Sequence, residues 1–205
     1  HGRLAKSGLH ANTVAKIYRL FRTMMDTAVD DGLLRVNPVH IKGAAAERSV
    51  ERPELDWDDV QRIAAAIHPR FSALVWVGAT SGLRFGELTG LTRRHVNLDE
   101  RTLRVEQALM FIRDKGPTLG PPKSAAAHRT VTIPVSAAQV LAGHLDNYAE
   151  EGPDAFVFTS IKGSPLLNRY FAPSWKRVLK EAGLPETTRF HDLRHLAGTS
   201  AATAG

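Results

Sequence analysis

Three short segments hold the residues whose types and spacing could do chemistry. In R-F-H-D-L-R-H, residues 189–195, His191 and Arg194 stand three apart and share a face if the segment is helical. An imidazole beside a guanidinium suits gripping a phosphate whose negative charge rises during in-line attack. His191 and His195, four apart with Asp192 between them, could instead chelate a metal. That alternative lacks the glutamate of an H-E-x-x-H helix, and no third ligand is evident elsewhere in the chain. In T-S-G-L-R-F-G-E-L, residues 80–88, Gly82 and Gly86 bracket Arg84, so the backbone can turn tightly and bring the guanidinium to a surface at a helix break. Glu87 follows three residues on, close enough to hold that guanidinium in one orientation, although the pair alone also fits an ordinary surface ion pair. In P-P-K-S-A-A-A-H-R-T-V-T-I-P, residues 121–134, Lys123 falls at the tip of an expected β-hairpin. From a hairpin tip an ammonium can reach a phosphate ester oxygen and give up a proton, or simply stay solvated.

The elements that must position these groups are mostly helical. Val14, Ile17, Phe21, Met24 and Ala28 recur at steps of three and four, which predicts a helix from Asn12 to Asp31 with Asn12 or Thr13 as its cap and Gly32 at its end. Asn37-Pro38 breaks the chain, and Lys42 to Arg52 reads as a linker between domains. A single helix cannot bury its own apolar stripe, so this first domain is expected to be incomplete. Beyond it, Asp56 to about Ile67 and Phe71 to Thr80 are expected as helices, the second broken at Ser81-Gly82, and Glu87 to Leu91 as a short helical piece. Leu103 to Leu109 and Arg129 to Ile133 alternate as strands, with a loop rich in Gly, Pro, Ser and Ala between them. Ser136 to Glu151 and Asn168 to Ala182 are expected as helices flanking a short strand at Phe156 to Thr159, and His191 onward is expected to be helical. The fold class is mainly α (α+β), with a small antiparallel sheet.

Composition bounds the function. The 205 residues carry 27 Lys and Arg against 21 Asp and Glu, a net charge of +6 that makes a polyanionic partner plausible. Residues 1–52 account for +4 of that charge and residues 53–205 for +2. Hydrophobic residues at 43% exclude disorder as the main state. No run of roughly 18 apolar residues exists, so no bilayer-spanning helix is expected. With no cysteine, a disulfide framework, a thiol nucleophile and a Cys-ligated zinc site are all excluded. His1 opens the chain and no signal-peptide pattern follows, so the expectation is a piece of a longer protein.

The three segments gain force from occurring in one order, and together they resemble the tyrosine recombinases, or phage integrase family. G-L-R-F-G-E-L is similar to that family's first arginine box, H-D-L-R-H to its second, and K-S followed by R-T-V-T-I-P to its β-hairpin lysine element. The resemblance covers residues 53–205. It implies that residues 1–48 are the end of a helical core-binding domain and residues 49–205 a catalytic domain. It further implies that Arg84 and Arg194 clamp the non-bridging oxygens of a scissile phosphate, since a planar fork bonds two oxygens at once. His191 would assist proton transfer at the same phosphate, and Lys123 would protonate the departing 5′-oxygen. Glu87 would fix Arg84, and His195 would be a supporting partner. The implied reaction is site-specific recombination by transesterification through a 3′-phosphotyrosine, with no metal or other cofactor. Implied partners are double-stranded DNA and further copies of the protein on that DNA, a tetrameric synapse for the full-length enzyme. No membrane partner is implied, and the setting would be the cytoplasm of a bacterium or its mobile elements.

The family's nucleophilic tyrosine follows the second box, whereas Tyr18, Tyr148 and Tyr170 all precede His191 and read as core or surface residues. The nucleophile is therefore expected beyond Gly205. Leu196 also departs from the small hydroxyl residue the family often has there. An alternative is a non-catalytic DNA-binding remnant that occupies sites without cutting. A helical transcription regulator is a third reading, but it leaves the ordered Arg, Lys and His-x-x-Arg-His set without a purpose.

Overall fold

The computed structural model describes residues 2–47, 54–121 and 128–203, the side chains of residues 5 and 199–203 excepted. The chain divides into two compact units, His1–Glu51 and Arg52–Gly205. In the first, a short turn of helix, α1 (Gly2–Ala5), precedes the long α2 (Ala11–Asp30). The cap of α2 is neither Asn12 nor Thr13 but His10, whose Nδ1 accepts from the Asn12 N–H at 3.3 Å. Its apolar stripe is only partly covered. Val14, Ala15 and Tyr18 are buried, while Ile17, Phe21 and Met24 stay exposed. The covering segment is the return of the chain past Pro38: the Ile41 N–H donates to the Tyr18 hydroxyl at 2.6 Å, Ala44 is buried, and Glu47 pairs with Arg19. Residues 42–47 thus fold as part of this unit, and the rest of the expected linker lies outside the described residues.

The second unit is a helical body with two small sheets. Helices α3 (Trp57–Ala66) and α4 (Pro69–Ser81) start on well-defined caps. Asp56 and Asp59 bond each other's backbone N–H reciprocally at 2.8 and 3.1 Å, which satisfies two of the donors a helix start leaves open. Helix α4 is almost wholly buried, from Phe71 through Ala79, and α3, α6 (Val135–Tyr148) and α8 (Asp192–Thr203) pack around it. Helix α7 (Asn168–Glu181) closes the core through Phe171, Trp175, Val178 and Leu179. Phe190 meets Phe85 and Phe171 edge-on at 5.3 and 5.4 Å, so the segment leading into α8 is anchored in the aromatic centre. No described helix is long and apolar enough to cross a membrane.

The strands depart from the sequence reading in an instructive way. The expected single strand over Leu103 to Leu109 is two, β2 (Thr102–Val105) and β3 (Ala108–Ile112), which join different sheets. In one sheet β2 lies between β1 (Val96–Asn97) and β5 (Arg129–Thr132), with Leu103 opposite Val131 and Val105 opposite Arg129. The stretch expected as loop contains β4 (Gly116–Gly120), which forms an antiparallel hairpin with β3. Phe156 to Thr159 is no strand: it makes only two isolated bridges, to Thr92 and to Pro165.

Two glycines decide where α5 (Phe85–Thr89) sits. Gly82 ends α4 at φ 61, left-handed backbone that turns the chain toward Arg84. Gly86 plays a different part from the turn expected of it. It lies within α5, and a Cβ there would stand 2.9 Å from the Leu109 carbonyl oxygen, so its bareness lets α5 press on the backbone of β3. Gly86→Ala should therefore lower stability by about 1–3 kcal/mol, the usual cost of overpacking against atoms that cannot swing away. Denaturant midpoints check this, and an unchanged midpoint would mean that α5 does not bear on β3.

Candidate functional site

Arg84 is the residue from which α5 starts. Its backbone N–H donates to Glu87 Oε2 at 3.0 Å, and its guanidinium Nη1 donates to Glu87 Oε1 at 2.8 Å. The spacing of three puts the carboxylate one helical turn on, where it serves both the helix start and the side chain. The pair is no ordinary surface bridge: the Glu87 side chain is 2% exposed, while that of Arg84 is 45% exposed. One end of the pair is thus fixed in the core and the other presented to solvent.

A second guanidinium holds the same carboxylate. Arg129 opens β5 and donates from Nη2 to Glu87 Oε2 at 2.9 Å. Burial pushes the Glu87 carboxyl up, but the Arg129 bond, the Arg84 N–H and the Arg84 guanidinium outweigh it and hold the group below its ordinary value of 4.5. Glu87 is therefore a buried, ionised carboxylate. Arg129 was not among the candidate residues, yet a signal was present. In R-T-V-T-I, alternation puts Arg129 on the same face as Val131 and the buried Ile133, and an inward-facing arginine requires an acidic partner.

Arg194 completes the cluster from α8. Its stem lies against Gly82, with Cγ 3.9 Å from where a Cβ on that glycine would be. Its Nη1 is buried and has no hydrogen-bond partner among the described residues. Burial lowers its affinity for a proton, the charges of Arg84 and Arg129 lower it further, and only Glu87 opposes them. A guanidinium does not give up its proton in a protein, so this depression expresses first the cost of burying the charge and then the repulsion of the two neighbouring cations. The site has three cationic groups around one carboxylate, and one buried donor without a partner among the described residues.

The turn 189–192 sets the entry to α8. The buried Asp192 accepts from the Arg189 N–H through Oδ2 at 2.7 Å, and the Arg194 N–H donates to the His191 carbonyl at 3.1 Å. His191 directly precedes the helix rather than lying within it. Its ring meets that of His195 nearly edge-on at 5.6 Å, and both are exposed. Asp192 bonds the backbone of this turn, and among the described residues no group of three or more His, Cys, Asp or Glu could hold a metal ion. The structure brings Arg84, Glu87 and Arg194 together and pairs His191 with His195. Lys123 lies outside the described residues. Tyr18 is buried, and the exposed Tyr170 on α7 accepts from Arg169 at 3.2 Å.

Comparison with known proteins bears on this arrangement. Residues 53–205 match the profile of the phage integrase family. The chain is 34% identical over 201 residues to the integrase of Mycobacterium phage L5, covering 96% of this chain and 53% of that protein. It is 28% identical to a XerC-like tyrosine recombinase of Caldanaerobacter subterraneus, covering 97% and 57%. The chain thus spans about half the length of the curated relatives it matches. Among solved structures, the Tn1549 transposon integrase in complex with transposon right end DNA superposes with a TM-score of 0.84. That match has 22% identity and covers 99% of this chain and 70% of the other, a likeness of fold.

Glu87→Gln tests the electrostatics directly. Because the folded state holds this carboxyl below its unfolded value, its contribution to stability is present above about pH 4.5 and is lost as pH falls through the folded value. The variant should lose about 1–3 kcal/mol at neutral pH, a figure kept small because Arg84 is half exposed. That deficit should shrink in acid. Denaturant midpoints near pH 7 and near pH 3 decide it, and a deficit independent of pH would mean that Glu87 is not ionised.

Proposed function

Because the chain belongs to the phage integrase family, we propose that it forms the phosphate-activating part of a tyrosine-type site-specific recombinase acting on double-stranded DNA. The observation that carries this reading is the buried Nη1 of Arg194, without a hydrogen-bond partner among the described residues, in a cluster of three guanidiniums around one carboxylate. An in-line displacement at a phosphodiester gathers negative charge on the non-bridging oxygens, and fixed cationic donors are worth most where that charge develops. Arg84 bonds Glu87 through Nη1 and keeps its other nitrogens for an oxygen of the phosphate. Arg194 supplies a second fork from α8. The transposon integrase that shares this fold was solved in complex with transposon right end DNA, which supports DNA as the substrate.

In this reading the hydroxyl of a tyrosine attacks the phosphorus, the 5′-oxygen leaves, and a 3′-phosphotyrosine conserves the bond energy for rejoining. His191 hydrogen-bonds the phosphate and assists removal of the nucleophile's proton, with His195 supporting its ring. Lys123 delivers a proton to the 5′-oxygen. The family places its tyrosine after the second box, so in this reading Tyr18, Tyr148 and Tyr170 do not fill that role. Residues 1–48 would be the end of the core-binding domain.

A suicide substrate tests the reading. The 205-residue chain should bind duplex DNA but yield no denaturation-resistant adduct, whereas a longer protein, extended by a family segment that carries the tyrosine, should yield one. In that protein, Arg84→Lys or Arg194→Lys should slow cleavage by about 100-fold or more, because lysine keeps charge but loses the fork. DNA affinity should change far less. Lys123→Ala should recover when the 5′-oxygen is replaced by a better leaving group. DNA binding without an adduct in the longer protein would favour the binding-only alternative, and an adduct at Tyr170 would overturn the placement of the nucleophile.

A further inference from the structure

Arg129 has no role in the proposed chemistry, yet it makes the contact that decides what Glu87 can do. A carboxylate next to a lone guanidinium is commonly gripped by two parallel N–H donors, one to each oxygen. Arg84 does not do this. It reaches Oε1 with Nη1 alone, because Oε2 already accepts from Arg129 Nη2 and from the Arg84 backbone N–H. Arg194 lies within the field of the same carboxylate, yet its buried Nη1 has no hydrogen-bond partner among the described residues, a costly state for a buried donor. Arg129 is well placed for this task. It stands on a strand whose register is fixed by the pairings Leu103 with Val131 and Val105 with Arg129, and its side chain, at 28% exposed, is more enclosed than that of Arg84.

We propose that Arg129 is a positioning residue that keeps Glu87 from quenching the clamp, confining Arg84 to a one-nitrogen contact and withholding the carboxylate from Arg194. The proposal rests on the reading of Arg84 and Arg194 as a phosphate clamp. Without Arg129, the freed Oε2 would draw a second nitrogen of Arg84 or the Nη1 of Arg194. The donors meant for phosphate would then be spent inside the protein. The buried carboxylate thus has two effects, and Arg129 separates them. Glu87 orients Arg84 when one of its oxygens is taken, and disables the cluster when that oxygen is open.

The experiment uses the 205-residue chain with sulfate as the probe, calorimetry for affinity and crystallography for geometry. The wild-type chain should bind sulfate at the arginine cluster. Arg129→Gln should weaken that binding by about tenfold or more, the worth of one charge-assisted hydrogen bond. In its structure, Glu87 Oε2 should bond a second nitrogen of Arg84 or the Nη1 of Arg194. Adding Glu87→Gln to that variant should restore part of the lost affinity, since the quenching charge is gone. Arg129→Lys keeps a cation on Oε2 and should bind sulfate within about threefold of wild type; it also serves if Arg129→Gln does not fold. The proposal is overturned if Arg129→Gln binds sulfate like wild type, if its Oε2 makes no new contact with Arg84 or Arg194, or if the double variant binds no better. A folded Arg129→Lys that loses binding by tenfold or more would also overturn it. Failure of the wild-type chain to bind sulfate at the cluster would instead contradict the clamp reading, and this inference with it.

Discussion

The Glu87 carboxylate lies in the core with one oxygen bonded to Arg84 and the other to Arg129, while Arg194 stands within its field without bonding it. Everything at the site follows from that imbalance. Leaving a carboxylate unpaired in the interior would be costly, and the two guanidiniums offset that cost. Three cations to one anion then leave a positive potential that nothing described in the protein cancels. The fold keeps the cluster in place by embedding its anionic member, and the surface keeps it usable by presenting Arg84 to solvent.

The four members arrive from three elements, which is why the helical body and the small sheet must both be present. Helix α5 brings Arg84 and Glu87 in one turn, Gly82 directs the chain into that turn, and Gly86 lets the turn seat on β3. Strand β5 brings Arg129, held in register by β2. Helix α8 brings Arg194 after a turn pinned by Asp192 and anchored through Phe190 in the aromatic centre. A shift in any one of these elements would be felt as a change in charge balance at the other two.

Much of this was legible in the sequence, for physical reasons that differ from residue to residue. The Asp56 to Asp59 capping pair and the Arg84 to Glu87 contact are local, three residues apart, so spacing alone exposes them. The helices of the second unit follow from apolar period, and the helical class with its small antiparallel sheet follows with them. Arg129 was missed because its partner is 42 residues away: the alternation of its strand marks it as inward-facing but does not say which acid it meets. The hairpin of β3 and β4 was missed for a related reason: G-P-T-L-G has little strand propensity of its own and is a strand only because Leu119 and its neighbours pair with β3. The half-covered stripe on α2 shows the converse, a strong local pattern whose burial depends on what else packs on it.

The central claim is that Arg84 and Arg194 jointly receive a tetrahedral anion while Glu87 keeps hold of Arg84. Crystals of the chain soaked in tungstate test it most directly, because the heavy atom locates the anion unambiguously. The account predicts one site bonded by both Arg84 and Arg194, with Arg84 Nη1 still on Glu87 Oε1. Tungstate bound only elsewhere, or bound with Arg84 swung away from Glu87, would contradict it.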